Sequence, residues 1–188
     1  MKKIQELIPL LSSRFFMMTL VLILAGQKIS HAQNIGTKTG YISFYSEMEE
    51  VLAQNYAVES ELDTSTGKII FIACIQSFRF DNATMQKHFN EKDVMNSKEF
   101  PRAKFVGNML NHDNIQYNQN GTYSVQVEGN LTMKGVTKEV KTKATIVVEN
   151  GKISASAKFI LDRFLFGVTD IADSISQMLD VEVKVNYE

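Results

Sequence analysis

"NGTYSVQVEGNLTMKG", residues 120–135, alternates polar and apolar side chains between two pairs of turn residues. Val125, Val127 and Leu131 fall on one face and Ser124, Gln126, Glu128 and Asn130 on the other. That period of two belongs to a strand with one side in a core. Asn120-Gly121 reads as a hairpin, because both residues tolerate the positive φ of a type I′ turn, and Lys134-Gly135 marks the next reversal.

The same signal repeats in both directions. Upstream lie "YISFYS" (41–46), "NYAVESELD" (55–63), "IIFIACIQSFRF" (69–80) and "AKFVGNML" (103–110), with the turn "TSTGK" before the third. Downstream lie "KGVTKEVKTKATIVVE" (134–149), the hairpin Asn150-Gly151, "KISASAKFIL" (152–161) and "LDVEVKVNYE" (179–188). Together these make eight strands, most of them joined by tight turns. The expected class is all-β, an eight-stranded antiparallel barrel, because closure removes edges that would otherwise pair with other chains. A two-sheet sandwich is the alternative that alternation alone leaves open.

Helical signals are few. Asp81-Asn82 supplies an N-cap, and Met85 and Phe89 then share a face at i and i+4. A short helical connection is expected over about 82–100, stopped by Phe100-Pro101, and "TDIADSISQM" (169–178) reads as a further helical turn.

Lys2, Lys3 and Arg14 precede the apolar run Phe15–Ala25, and Ser30-His31-Ala32 has the small-x-small pattern of a cleavage site. Residues 1–32 therefore read as a secretory signal peptide cut near Ala32-Gln33, the run being short of the ~20 residues that span a bilayer. No integral membrane protein is expected. Residues 33–188 suit a single domain with one core. Of the 20 basic and 21 acidic residues, the leader takes Lys2, Lys3, Arg14, Lys28 and Glu6. Sixteen basic against twenty acidic then remain, a balance that argues against nucleic acid, which needs a basic face. Cys74 is the only cysteine, so no internal disulfide staples the fold.

Candidate chemistry is thin. Cys74 and His88 would form a nucleophile and base only if the fold joined them, and Cys74 lies within an apolar strand, where thiols are usually inert. His88, Glu91, Asp93, His112 and Asp113 supply metal-binding atoms without a metal-binding motif. The interior carries more information. Its expected inward rows run Phe71, Ala73, Ile75, Ser77; Ala103, Phe105, Gly107, Met109; Tyr123, Val125, Val127, Gly129, Leu131, Met133; Ile153, Ala155, Ala157, Phe159, Leu161; and Val181, Val183, Val185, Tyr187. Large residues there either interdigitate with the small ones or leave a slot suited to an apolar ligand. Ile70, Ile72 and Cys74 are apolar where an outward row is expected. Either the helical connection covers them or the facing is reversed.

"SFRFDNATMQKHFNEKDVMNSKEFPRAKFVGNM" (77–109) followed by "YSVQVEGNLTMKGVTKEV" (123–140) resembles the YceI-like family of secreted bacterial proteins. The shared pattern is a Ser-Phe at a strand end, a connection with H-F-N-E and F-P-x-A-x-F, then G-x-L-T-x-x-G-V-T-K. The resemblance implies a lipocalin-like barrel with no catalytic residue, no metal and no cofactor, holding an isoprenoid lipid or quinone in a periplasmic or secreted protein. The ligand-lining residues expected from the inward rows and the connection are Phe71, Ile75, Phe89, Phe105, Met109, Val127, Leu131 and Phe159, with His88, Tyr41 or Arg163 open as head-group contacts. The connection would cap one mouth as a gate, so Phe89→Asp would weaken lipid retention more than folding. Two other readings stay open: a lipid-acting enzyme using His88 at the barrel mouth, and an interaction module with a filled barrel. Self-association into a homodimer is likewise open.

Overall fold

Backbone pairing turns the alternating segments into a tube. The computed structural model describes residues 33–169 and 175–187. In chain order these form β1 (Asn34–Ser46), β2 (Val51–Asp63), β3 (Lys68–Cys74), β4 (Arg79–Phe80), α1 (Ala83–Phe89), β5 (Arg102–Leu110), β6 (Gly121–Met133), β7 (Val136–Glu149), β8 (Lys152–Asp162) and β9 (Met178–Tyr187). The strand order β1-β9-β8-β7-β6-β5-β3-β2 ends where it begins, because β1 also pairs with β2. All pairings are antiparallel. Eight long strands thus close into a lipocalin-like barrel, and the two-residue β4 continues the line of β3 along the start of β2.

Two hairpins form where the turn residues predict them. Lys134-Gly135 and Asn150-Gly151 both hold positive φ at each position, 49° and 77° in the first and 51° and 77° in the second, as type I′ turns require. Asn120-Gly121 does not, and this corrects the reading above. β5 stops at Leu110 with Asn111 left-handed at φ 59°. The chain then folds over that end of the barrel, burying Ile115, before β6 begins at Gly121. Asn120 instead uses its side-chain oxygen to accept from the backbone N–H of Asn150 at 2.8 Å, steadying the neighbouring hairpin.

Residues 69–80 are not one strand. Opposite them β2 is irregular, and the Asn55 side chain donates to the Cys74 carbonyl at 3.0 Å while accepting from Ala57 N–H at 2.9 Å. Ile75 N–H turns to the Pro101 carbonyl at 2.9 Å, and a 3₁₀ turn, Ile75–Ser77, interrupts the ladder. The break shifts the alternation: Phe78 faces inward in place of the expected Ser77. The facing of β3 itself is as expected, with Phe71 and Ala73 inside. Ile70 and Ile72 are half-buried outside, flanked in register by Glu59, Glu61 and Lys104, while α1 packs elsewhere.

The connection is less helical than expected. Asn82 caps α1 by accepting from Thr84 and Met85 N–H, and the helix ends at Phe89. Asn90 then donates through its side chain to the Gln86 carbonyl, and turns carry the chain through 91–100. Most of the helical turn expected over 169–178 lies outside the described residues.

Core packing forms three clusters, two at the ends and a third of Ala53, Val58, Ala73 and Phe78. Ile35, Leu62, Ile69, Met109, Ile115, Val125, Ile146, Val148, Ile153, Val185 and Tyr187 fill the end beneath the 111–120 segment, with Tyr117 against them. Ile75, Val94, Met95, Phe166 and Val168 fill the other beneath the connection. Between the ends, Gly107 and Gly129 face each other across β5 and β6 under the ring of Phe105. A Cβ on Gly129 would stand 2.5 Å from Gly107 Cα and Val106 O and 2.6 Å from Phe105 Cζ.

Gly129→Ala is therefore expected to destabilise the protein by about 1–3 kcal/mol, the usual range for overpacking. Urea unfolding measures it. Burial pushes the hydroxyls of Tyr117 and Tyr187 up to about 12. In the unfolded chain a tyrosine ionises near 10. The stability tied to these protonated hydroxyls is complete below pH ~10 and is lost as pH rises from ~10 toward 12. The urea midpoint should fall across that window, and fall less in Tyr187→Phe.

Candidate functional site

The alternation that builds the barrel also leaves a space inside it. Small residues at inward positions, among them Ala73, Ala103, Ala144, Ala155 and Ala157, leave a cavity of about 200 Å³ between the two filled ends. Phe71, Phe105, Leu131 and Phe159 point inward yet stay half-exposed, because part of their surface faces this space. The wall is almost wholly carbon. Its polar members are Thr142, Ser156, Arg163 and Tyr187.

All eight residues expected at the interior, Phe71, Ile75, Phe89, Phe105, Met109, Val127, Leu131 and Phe159, line this one cavity. Alternation also places Ile42 and Phe44 of β1 and Val140, Thr142, Ala144 and Ile146 of β7 on the wall. Those were missed, although "YISFYS" and "VKTKATIV" carry the same period-two signal.

At the connection end, Phe89 does more than rest on a rim. Its ring lies 5.7 Å from Phe44, 5.7 Å from Phe78 and 5.0 Å from Phe80, centroid to centroid. This four-ring cluster seals the tube and joins α1 to β1 and β4. Lys134 straps the same end, donating to the Gly167 carbonyl at 2.7 Å and the Asp93 carbonyl at 3.4 Å. The partial burial that comes with this position holds its ammonium below the usual lysine range. A gate at the end, as expected from sequence, would have to undo these contacts.

One side of the barrel has a short ladder. β7 and β8 pair only from Ala144↔Ala157 to Glu149↔Lys152. Beyond that register they separate, leaving 136–143 and 158–162 without ladder partners across the seam. Thr142 Oγ1 donating to the Lys158 carbonyl at 3.4 Å is a thin bridge over it. Val140, Thr142, Phe159 and Leu161, all on the cavity wall, stand on these two free edges. Part of the seam is backed by Phe166, which packs with Val136 and Leu161.

Arg163 is the charged group on the wall, at 3 % exposure. Its guanidinium donates to the carbonyls of Val168 at 2.8 Å, Ser176 at 3.0 Å and Ile175 at 2.7 Å, holding the chain on both sides of the undescribed stretch. Tyr41 stands outside the cavity beside Tyr56 and Lys184, and His88 is exposed, 2.9 Å from Glu91. Of the three head-group contacts considered, only Arg163 reaches the cavity.

The catalytic and metal constellations do not assemble. Cys74 is half-buried at the end of β3, while the ring of His88 is engaged with Glu91. His88 sits on α1 at the connection end, and His112 sits at the opposite end against Ser65 O and Asp113. Among the described residues, no three His, Cys, Asp or Glu side chains are grouped as metal ligands. No helix among them is long and apolar enough to cross a membrane.

Known proteins share this architecture. A polyisoprenoid binding domain from Saccharophagus degradans superposes with a TM-score of 0.71 at 10% identity, over 84% of this chain and 98% of that one. BcnA of Burkholderia cenocepacia gives 0.65 at 16% identity, over 78% and 95%. At these identities the likeness speaks for the fold. In sequence, a UPF0312 protein of Pseudomonas putida strain GB-1 is 31% identical over 111 residues, 56% of this chain and 54% of that one. The match thus spans about half the length of that relative. The model of the YceI-like domain matches residues 27–188, and the chain accordingly belongs to the YceI-like family.

Proposed function

We propose that this protein is a carrier or reservoir for one apolar isoprenoid lipid, a polyprenyl chain or an isoprenoid quinone, held inside the barrel. The observation that carries the reading is the carbon-walled cavity of about 200 Å³ between two filled ends. A filled barrel acting through its surface would not keep Phe71, Phe105 and Phe159 turned toward empty space. The name of the Saccharophagus neighbour, a polyisoprenoid binding domain, supports the ligand class. Each Å² of apolar surface removed from water contributes ~25 cal/mol, so a chain-like hydrocarbon gains affinity along its length without ion pairs. The seam between β7 and β8 is the route in and out. We assign the protein no catalysis, no cofactor and no metal. Its place is the periplasm or the secreted fraction, reached by cleavage near Ala32-Gln33.

Native mass spectrometry with organic extraction, on protein purified from its own periplasm or a lipid-containing host, tests this directly. A polyprenyl compound or quinone is expected in near one-to-one amount. Empty protein that also refuses added isoprenoids would overturn the reading.

Two substitutions separate binding from folding. Ala157→Phe fills space that is already empty, so lipid occupancy should fall at least tenfold while the thermal midpoint holds or rises. Phe89→Asp breaks the four-ring cluster and should lower both stability, by about 3–5 kcal/mol as for a lost core Phe, and lipid retention. Native mass spectra beside thermal melts of each variant check the pair.

A further inference from the structure

One inward rung of the barrel carries no side chain on two adjacent strands. Gly107 of β5 and Gly129 of β6 are partners across the ladder, and Phe105, paired with Leu131, stands on the neighbouring inward rung. Glycine within a strand weakens it and often marks a place where another group comes close. Here that group is the Phe105 ring. A Cβ on Gly107 would stand 2.6 Å from Phe105 Cζ and 2.8 Å from its Cε1, and one on Gly129 would stand 2.6 Å from the same Cζ. The ring therefore lies along the wall, in volume that side chains on both glycines would otherwise take, while its half-exposed surface lines the cavity.

The cavity wall continues on both sides of this rung. Ile75, Phe89 and Met95 line it toward the connection, and Leu62, Ile146 and Tyr187 line it toward the 111–120 segment. A strand side chain ordinarily stands roughly perpendicular to its sheet. Off the glycines, the Phe105 ring would project into the lumen between those two groups. We propose that the Gly107–Gly129 pair is a seat that holds the Phe105 ring out of the lumen, and that Phe105 is thereby the residue that determines how long an apolar chain the cavity takes. With the ring seated, a chain passes mid-barrel and uses both halves of the cavity. With the ring raised, only a chain short enough for one half remains. A phenyl ring and one isoprene unit have similar bulk, so the discrimination falls between chains that differ by a unit. The inference rests on the carrier reading and adds to it the residue that sets ligand length.

The test uses two isoprenoid hydrocarbons, myrcene and the longer farnesene, each equilibrated with the protein, extracted and measured by gas chromatography. The intact protein should hold both. Phe105→Trp, whose larger ring overfills the seat, and Gly129→Ala, whose methyl group occupies it, should each lower farnesene occupancy about tenfold relative to myrcene, the usual cost of overpacking. Unchanged myrcene occupancy shows that each variant is folded. Phe105→Ala leaves no ring to raise and should keep farnesene. In the double variant carrying Gly129→Ala and Phe105→Ala, farnesene should return. Were the glycines to act on stability alone, adding Phe105→Ala would lower occupancy further. Should Gly129→Ala fail to fold, Phe105→Trp against Phe105→Ala decides. Intact protein that takes myrcene but not farnesene, equal loss of both probes in Phe105→Trp, or a farnesene loss that Phe105→Ala does not reverse overturns the seat and leaves the carrier standing. Failure of the intact protein to take either probe or any added polyprenyl lipid overturns the carrier reading, and the seat with it.

Discussion

The pairing of β1 with both β9 and β2 is the constraint on which the rest depends. Once the first strand joins the last and the second, every long strand has neighbours on both sides and the parity of each residue is set. An inward position then stays inward, because a slip of one residue would turn a whole row of carbon into water. Volume inside such a tube is what the inward side chains leave over. At Gly107 and Gly129 they leave nothing, because the Phe105 ring lies on both glycines. At Ala144, Ala155 and Ala157 they leave part of the cavity.

The early parting of β7 and β8 bears on exchange. A chain-like ligand leaving through the connection end would have to part four aromatic rings and the Lys134 strap. Leaving between β7 and β8 breaks no ladder bond beyond Ala144↔Ala157, because none forms there. The seam is also bordered by Lys138, Lys143 and Lys158, whose charges discourage edge-to-edge pairing with another chain. An open strand edge is ordinarily a liability, and here residues of the cavity wall stand on it.

The sequence carried most of the barrel, and its failures share a cause. β6, β7 and β8 read correctly because each pairs over long uninterrupted registers, where local alternation and tertiary demand agree. Asn120-Gly121 had the chemistry of a tight turn but lay at the end of a longer segment that had to cover the barrel, so Ile115 decided its conformation. The run 69–80 is apolar throughout, and no local signal marks the break that Asn55 imposes from another strand. Residues 34–40 were missed because only Ile35 and Gly40 of that stretch are buried, too few to show a period. Seven of the eight interior positions were readable from parity, and Phe89 from its i, i+4 spacing with Met85. The seam was not, because it depends on where two strands part, and both strands look regular alone.

The carbon wall has an energetic meaning. Contact with a carbon wall adds up with area, so an apolar chain held there would gain affinity along its length. In this barrel the small residues Ala144, Ala155 and Ala157 set how much space the wall encloses, and so how much apolar surface a ligand could bury there.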